Sequence, residues 1–312
     1  MRDIPVLVIG FNRPQLIQNL LDNLKENGFK KLYVALDGPR NENDIVDCRK
    51  TYEIVQSQKE YFDISLLSRT YNLGCCLGVI SALDWFFSLN DFGAIIEDDC
   101  LPDPEFYETI STRIKDWAGA SSTNLELLTA HNPFEFNFQN RVTRSVLIHG
   151  WATDSNVWRK VRKDFFKLTM PSWKNSTNER RPISSAFYWW ANSTKAKLGL
   201  IDTWDGMFAD NSWRQGVSTV VPHRNLVRNL GYGPSGTHTK NIADSNLVKL
   251  PLELLQNYPL DFLLDRYYFK IKKNHIVKSV LRVVLDLIKF PKAPMHEKRL
   301  IQDISDRLIE LP

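Results

Sequence analysis

The sequence is poor in several features on which common chemistries depend. Four cysteines, Cys48, Cys75, Cys76 and Cys100, occur in 312 residues. They have neither C-x-x-C nor zinc-like spacing, and the adjacent pair is awkward in a disulfide framework, so a reducing compartment is expected. No apolar run approaches the roughly 18 residues of a membrane-spanning helix. The opening MRDIPVLVIGFNRP has only a short apolar stretch before a polar turn, which fits a strand and not a signal peptide. The expected location is therefore the cytoplasm. No G-x-G-x-x-G follows the first strand and no G-x-x-x-x-G-K-[ST] loop occurs, so neither usual glycine-rich phosphate cradle is available. Charge of one sign is also scarce: 40 basic against 36 acidic residues leave +4, too mild to argue for nucleic acid. Internal repeats and low-complexity segments are absent.

What is present begins with IIEDDCLPDP, residues 95–104. Gly93-Ala94-Ile95-Ile96 reads as a short buried strand, and Pro102 and Pro104 turn the chain away from the sheet. Glu97, Asp98 and Asp99 thus stand at a strand's carboxyl end, where open α/β sheets bind ligands. Clustered carboxylates repel unless a hard cation or a proton is shared among them. A divalent metal, Mn2+ or Mg2+, is the economical expectation, with a solvated turn as the plain alternative.

The first hundred residues alternate strand and helix. Strands are expected at Pro5–Ile9, Leu32–Leu36, Ile64–Leu67 and Gly93–Ile96. Between them lie a helix opening at Pro14 with Leu16, Ile17, Leu20, Leu21 and Leu24 on its apolar face, a polar helix from about Glu42 to Lys59, and one carrying Val79, Ile80, Leu83, Trp85 and Phe86. This predicts an α/β fold, a mostly parallel central sheet with helices on both faces. Three strand ends carry polar signatures: Asn12-Arg13, Asp37-Gly38 and the acidic triplet. The second half predicts strands at Leu125–Thr129, Ser145–His149 and Ser218–Val221. Its helices are expected from Asp154 to Lys163, from Pro182 to Lys197, and from the Thr203-Trp204-Asp205-Gly206 segment to Gln215. Gly231–Thr239 is glycine-rich and reads equally as a lid over a site or as a surface loop. Nine Trp, ten Tyr and seventeen Phe make the chain aromatic; Trp151, Trp204 and Trp213 are candidates for stacking sugars, with core packing as the competing use.

The order F-N-R-P, L-D-G-P, N-L-G, I-I-E-D-D-C-L-P-D-P-E-F-Y, H-G-W and T-W-D-G, over residues 4–240, resembles GT-A type glycosyltransferases. It is most similar to the N-acetylglucosaminyltransferase I family and its bacterial relatives. The resemblance implies a Rossmann-like GT-A domain over 1–245 with a helical, basic tail over 246–312, a nucleotide-sugar donor, most simply a UDP-sugar, and a glycan or lipid-linked acceptor. It also implies residue roles. Asp99 would bind the metal, and Glu97 and Asp98 would contact ribose and donor sugar. Asp37 would meet the uracil ring, with Arg13, Asn72 and Trp204 also on the donor. Asp205 would be the catalytic base, shielded by the neighbouring indole. Apart from the resemblance, His238 in the glycine-rich segment is a further candidate metal or diphosphate ligand, with a solvated loop histidine as the plain alternative. Gly206 replaces the family's second acid, and Tyr71-Asn72 stands where the family has a histidine, so sugar and acceptor are left open. A sugar-phosphate nucleotidyltransferase and a non-catalytic carbohydrate-binding protein are the competing readings. In the tail, residues 266–292 carry eight basic residues against Asp286 alone, 8 − 1 = +7. Ile276, Val277, Val280, Leu281, Val284, Leu287 and Ile288 fall at helical spacing among them, the pattern of a helix lying either on an anionic bilayer or on the main domain.

Overall fold

The structure, a computed structural model, describes residues 4–119, 125–134, 141–231, 248, 250–257, 259–269 and 271, and helical positions 277, 278, 280, 281, 283 and 285. Its first half follows the alternation of apolar runs and amphipathic stretches. Strands β1 (Val6–Gly10), β2 (Lys31–Leu36), β3 (Asp63–Ser68) and β4 (Phe92–Glu97) alternate with helices α1 (Pro14–Glu26), α2 (Glu42–Ser57) and α3 (Gly74–Leu89). The remaining strands are β5 (Cys100–Pro102), β6 (Glu126–Thr129), β7 (Arg141–Thr143), β8 (Trp151–Asp154), β9 (Ser218–Val221) and β10 (Val227–Asn229). The remaining helices are α4 (Pro104–Gly119), α5 (Ser155–Arg162), α6 (Ile183–Lys197), α7 (Asp205–Gln215), α8 (Leu252–Asn257) and α9 (Leu260–Leu263).

The main sheet has the order β3-β2-β1-β4-β8-β6-β9-β7. All its pairs are parallel except β4–β8, β6–β8 and β7–β9, so only β8 and β7 run against the rest. The expected Rossmann-like α/β architecture is therefore present, with two reversed strands. Period-two alternation sends side chains to two cores. Val6, Val8, Leu32, Val34, Ala94 and Ile96 join one beneath α1 and α4, while Leu7, Tyr33, Ala35 and Ile95 join the other with α3, α5 and α7. Because β2 and β3 lie on one side of β1 and β4 on the other, the sheet reverses its winding between β1 and β4, and a crevice opens at their carboxyl ends.

One local expectation needs correction. Ser145–His149 is not a strand: Arg144 N and Ser145 Oγ bond the Asp261 carboxylate, and the strand begins only after Gly150, whose φ of +68° makes a left-handed turn. The residues that follow, Trp151–Asp154, form β8 and lead directly into α5. Further along, Leu255, Leu260, Leu263 and Leu264 bury against Phe134, Leu147 and Val221. In the following segment Val283 packs on Trp190 and Ala191, while Val277, Leu281 and Leu285 are exposed. Among the described residues no helix is long and apolar enough to cross a membrane.

Gly93 sets the closeness of β4 to α3. A Cβ there would collide with the Phe86 ring and lie 2.7 Å from the Pro5 carbonyl oxygen, which is backbone and cannot yield. Gly93→Ala is expected to destabilise the fold by about 1–3 kcal/mol, the usual cost of overpacking, measured by urea denaturation.

Candidate functional site

The crevice is a cleft of about 450 Å³ lined by the ends of β1, β2 and β4, the start of α3 and the segment before α7. Its floor is built by Arg13. Pro14 opens α1, which leaves Arg13 at the cap position, but its side chain makes no cap. The guanidinium turns instead to the acidic triplet. Nε donates to Asp98 Oδ2 at 3.1 Å, Nη2 pairs with Asp98 Oδ1, and Nη1 donates to Asp99 Oδ2 at 3.0 Å. Asp98 is 1% exposed, so this planar fork is matched to a carboxylate shut away from water. Burial and then the adjacent Asp99 and Asp98 charges push Glu97 up to about 8. Burial also raises Asp98, to about 6, against the pull of Arg13. The cluster holds more negative charge than one arginine offsets.

The wall toward β2 is an anchor more than a contact surface. Asp37 accepts hydrogen bonds from Gly38 N, Leu73 N, Gly74 N and Asn72 Nδ2, which fills the roughly four acceptor positions of a carboxylate. Asn72 also donates to Gly38 O, and a Cβ on Gly38 would meet the Tyr71 backbone at 2.5 Å, so the loops after β2 and β3 interlock. Asp202 then accepts from Cys75 N and Cys76 N at 2.9 and 2.8 Å. Two carboxylates thus occupy the amino end of α3, satisfying its unpaired N–H groups and its positive dipole end. An anionic ligand gains nothing there and must be met by Arg13, Arg40 and Arg69, which line the cleft.

Asp205 is the first residue of α7 and is exposed in the same cleft. Its Oδ1 accepts from Gly206 N at 2.8 Å and from the Thr203 hydroxyl. Trp204 lines the cleft beside Asp205, although it is 2% exposed and packs on Trp151 and Phe208. Trp151 and Trp213, at 1% and 5%, are core residues as well, which corrects their candidacy as sugar platforms. His238 lies outside the described residues. Arg40, Arg69, His149 and Asp202 also line the cleft without a role expected from the sequence, and Gly231, the first residue of the glycine-rich segment, lines it too. Arg69 was findable, since it directly follows β3 as the polar signatures follow β1, β2 and β4. His149 stacks on His131 at 4.6 Å, and burial lowers both imidazoles, leaving them neutral at pH 7. Burial raises the Cys75 thiol, and Glu97, Asp202 and Asp205 push it further, so it is no thiolate nucleophile.

The donor set suits a hard cation. The triplet offers only oxygens, the Arg13 guanidinium already stands as the cation on Asp98 and Asp99, and Gly231 comes so near Asp99 that a Cβ would overlap its carboxylate. Among the described residues no three His, Cys, Asp or Glu side chains form a closed cage. An ion here would take one or two carboxylate oxygens and complete its shell with water and ligand phosphate, the habit of Mg2+ and similar ions.

No family model and no curated relative matches the sequence. Solved structures with a distant likeness include the mannosyltransferase PcManGT from Pyrobaculum calidifontis in complex with GDP-Man and Mn2+, at 12% identity and TM-score 0.36, over 72% of this chain and 57% of that one. A UDP-glucose pyrophosphorylase from Acinetobacter baumanii shares 11% identity at TM-score 0.34, over 97% of this chain and 100% of its own. HddC from Yersinia pseudotuberculosis shares 8% at 0.28, over 49% and 77%. Likenesses this remote do not bear on the reaction, and the resemblance to the N-acetylglucosaminyltransferase I family rests on the motifs alone.

The raised Glu97 has a pH consequence. An acid raised on folding, here from 4.5 to about 8, contributes stability in full below about pH 4.5 and loses it as pH rises through about 8. Without added metal, the melting temperature should fall between about pH 5 and pH 9, and Glu97→Gln should flatten that fall. A wild-type profile that rises over this range would contradict the assignment.

Proposed function

We propose that this chain is a cation-dependent glycosyltransferase that moves a sugar from a nucleoside-diphosphate donor, a UDP-sugar, to a hydroxyl of a glycan or lipid-linked acceptor in cell-surface polysaccharide synthesis. The supporting observation is the pairing of Arg13 with Asp98 and Asp99 at the sheet's switch point, with the Asp205 carboxylate open to the same cleft. Glycosyl transfer expels a diphosphate from an oxocarbenium-like centre, so it needs positive charge at the leaving group and a base on the attacking hydroxyl. Asp99, with Asp98 beside it, would hold Mn2+ or Mg2+, which when bound neutralises the diphosphate. Arg13 adds its charge on the same side, and Glu97 lies where ribose or sugar hydroxyls would meet it. Asp205 Oδ1 is tied by Gly206 N and Thr203, leaving Oδ2 to take the hydroxyl proton. One base in line with the departing diphosphate gives inversion of the anomeric centre. Asp37 and Asn72 serve the donor by fixing the wall beside it, since the Asp37 oxygens are already engaged.

A nucleotidyltransferase would want a glycine-rich basic loop after β1, and Gly10-Phe11-Asn12-Arg13-Pro14 offers one arginine, already paired with Asp98 and Asp99. A binding protein without turnover would take up UDP with manganese and release no product, which is the outcome that separates it from an enzyme.

Calorimetric titration of UDP with manganese, followed by turnover of UDP-sugars, tests the reading. Asp99→Ala is expected to abolish manganese-dependent UDP binding, and unchanged affinity would sink the metal assignment. Asp205→Asn should keep UDP affinity and change stability by no more than about 1 kcal/mol, while turnover falls by about 10² to 10⁴. Near-normal turnover, or a product retaining the donor's anomeric configuration, would remove Asp205 from the base role.

The lipid-linked form of the acceptor is supported by the tail. Val277, Leu281 and Leu285 recur every four residues and are 54–57% exposed, while Val283 holds the segment to α6, so one stripe of the basic stretch faces outward. Such a stripe with a +7 balance suits an anionic bilayer. Full-length protein should float with phosphatidylglycerol vesicles and not with phosphatidylcholine ones, and Leu281→Glu should abolish flotation. Equal behaviour on both vesicles would remove the membrane contact.

A further inference from the structure

Between α5 and α6 the chain forms a strap, residues 167–173, that turns its apolar side chains outward. Leu168, Met170 and Trp173 are 51, 77 and 54% exposed, and Ile183, which opens α6, is exposed with them. Single apolar residues scattered on a surface are ordinary, whereas four large ones over residues 168–183 form a patch.

The strap is firmly held. Lys197 Nζ donates to Lys167 O, Trp190 Nε1 to Thr169 O and Arg214 Nη2 to Met170 O. Trp213 Nε1 and Arg181 Nε both donate to Ser172 O, and Arg181 N donates to Trp173 O. The strap therefore runs antiparallel to α6, with Lys167 tied to the last residue of that helix and Trp173 tied just ahead of its first. The helix rises about 21 Å from Ile183 to Lys197, and six steps of extended chain cover about 20 Å, so the strap is close to straight. In an extended chain Leu168 and Met170 share a side. The bonded carbonyls face the protein, and the exposed side chains face away from it.

We propose that this strap is a membrane-docking element, in which Met170 and Trp173 enter the interfacial layer of an anionic bilayer while Lys163, Lys167, Lys174 and Arg180 meet its headgroups. The inference extends the bilayer contact proposed for the tail to a second, rigid surface and does not depend on the reaction performed in the cleft.

Three observations favour lipid. The first is charge: residues 159–181 hold eight basic residues against Asp164 and Glu179, 8 − 2 = +6, and the four named cations are exposed. The whole chain is only +4, so this segment and the tail concentrate the positive charge and the remainder is net negative. The second is the backbone. Irregular chain is kept out of lipid by unpaired polar groups. Here the carbonyls of Lys167, Thr169, Met170, Ser172 and Trp173 are already bonded to the protein, and Pro171 brings no N–H, which lowers the cost of leaving water. The third is continuity. Trp190 bonds the strap through its indole N–H and packs with Ala191 against Val283 of the tail. The strap and the exposed Val277, Leu281 and Leu285 stripe are thus brought together at one residue of α6.

The test floats the full chain with phosphatidylglycerol and with phosphatidylcholine vesicles, beside Met170→Glu, Trp173→Phe and the tail variant Leu281→Glu. Brominated phosphatidylglycerol serves as a quencher of tryptophan fluorescence, and light scattering reports the oligomeric state. Because Met170 is exposed, Met170→Glu should leave the melting temperature within about 2 °C of wild type. Wild type should float with phosphatidylglycerol only, and Met170→Glu should lower the floated fraction about tenfold. Trp173→Phe should float and yet lose most of the quenching, since the ring that meets the lipid has gone. Undiminished flotation of Met170→Glu, or undiminished quenching in Trp173→Phe, would overturn the strap; if Leu281→Glu still fails to float, the tail contact stands without it. Loss in Met170→Glu with normal flotation of Leu281→Glu would keep the strap and remove the tail. Equal flotation on both vesicles, or a wild type that does not float and instead forms a dimer that Met170→Glu dissociates, would also overturn the proposal, the latter by making the strap a contact between two copies of this chain.

Discussion

Three adjacent carboxylates at the end of a buried strand repel one another, and the chain offsets that repulsion with one guanidinium. Arg13 reaches Asp98 and Asp99 because β1 and β4 are parallel neighbours in a register that sets Ile9 against Glu97, so the residues just past each strand meet. Pro14 starts α1 at once, leaving Arg13 no room to run on as strand. Burial, and after it the neighbouring carboxylates, still displace Glu97 and Asp98 upward against the pull of Arg13. A folded chain that retains unbalanced charge at a sheet's switch point gains a large electrostatic response to any cation that enters, which a fully paired cluster would not have.

The rest of the cleft follows from how charge is distributed around that floor. Asp37 and Asp202 neutralise the amino end of α3, the place where many α/β sheets receive phosphate. With that end occupied, the cationic elements left are the arginines on the β1 to β3 side, and the open carboxylate is Asp205 on the other. The cleft thus carries arginines together with the acidic triplet toward one wall and the open Asp205 toward the other. In the proposed reaction that division would set the phosphate-bearing leaving group apart from the hydroxyl nucleophile.

The sequence was most legible where one physical rule governs a stretch. Short apolar runs alternating with amphipathic ones placed β1 to β4 and α1 to α3 within a few residues, and capping chemistry located α5 at Asp154, whose carboxylate accepts from Asn156 N and Val157 N. It was least legible where tertiary contact decides. Ser145–His149 has a strand's composition, but Val146 and Leu147 are drawn into two different cores and the Asp261 carboxylate bends the chain. The Trp151 and Trp204 rings look alike in sequence whether they stack on sugars or on each other; only their mutual contact tells them apart. Asp202 and His149 reach the cleft from loops whose path no periodicity describes.

The proposal of Asp205 as the base, among the cleft's acids, rests on what the others are already doing. Asp37 holds four donors, Asp202 holds two backbone N–H groups of α3, and Asp98 and Asp99 face Arg13. Burial and then the adjacent Asp99 and Asp98 charges raise Glu97, which disfavours its ionised, proton-accepting form. The thiols of Cys75 and Cys76 are raised by burial, and the His149 imidazole is buried against His131 with Gly150 behind it. Asp205 is exposed, fixed through one oxygen at the head of a rigid helix, with its other oxygen turned to no partner among the described residues. Rigid placement on a helix with one lone-pair face left open is what a general base requires, because the hydroxyl must arrive within hydrogen-bond reach of an oxygen that does not move.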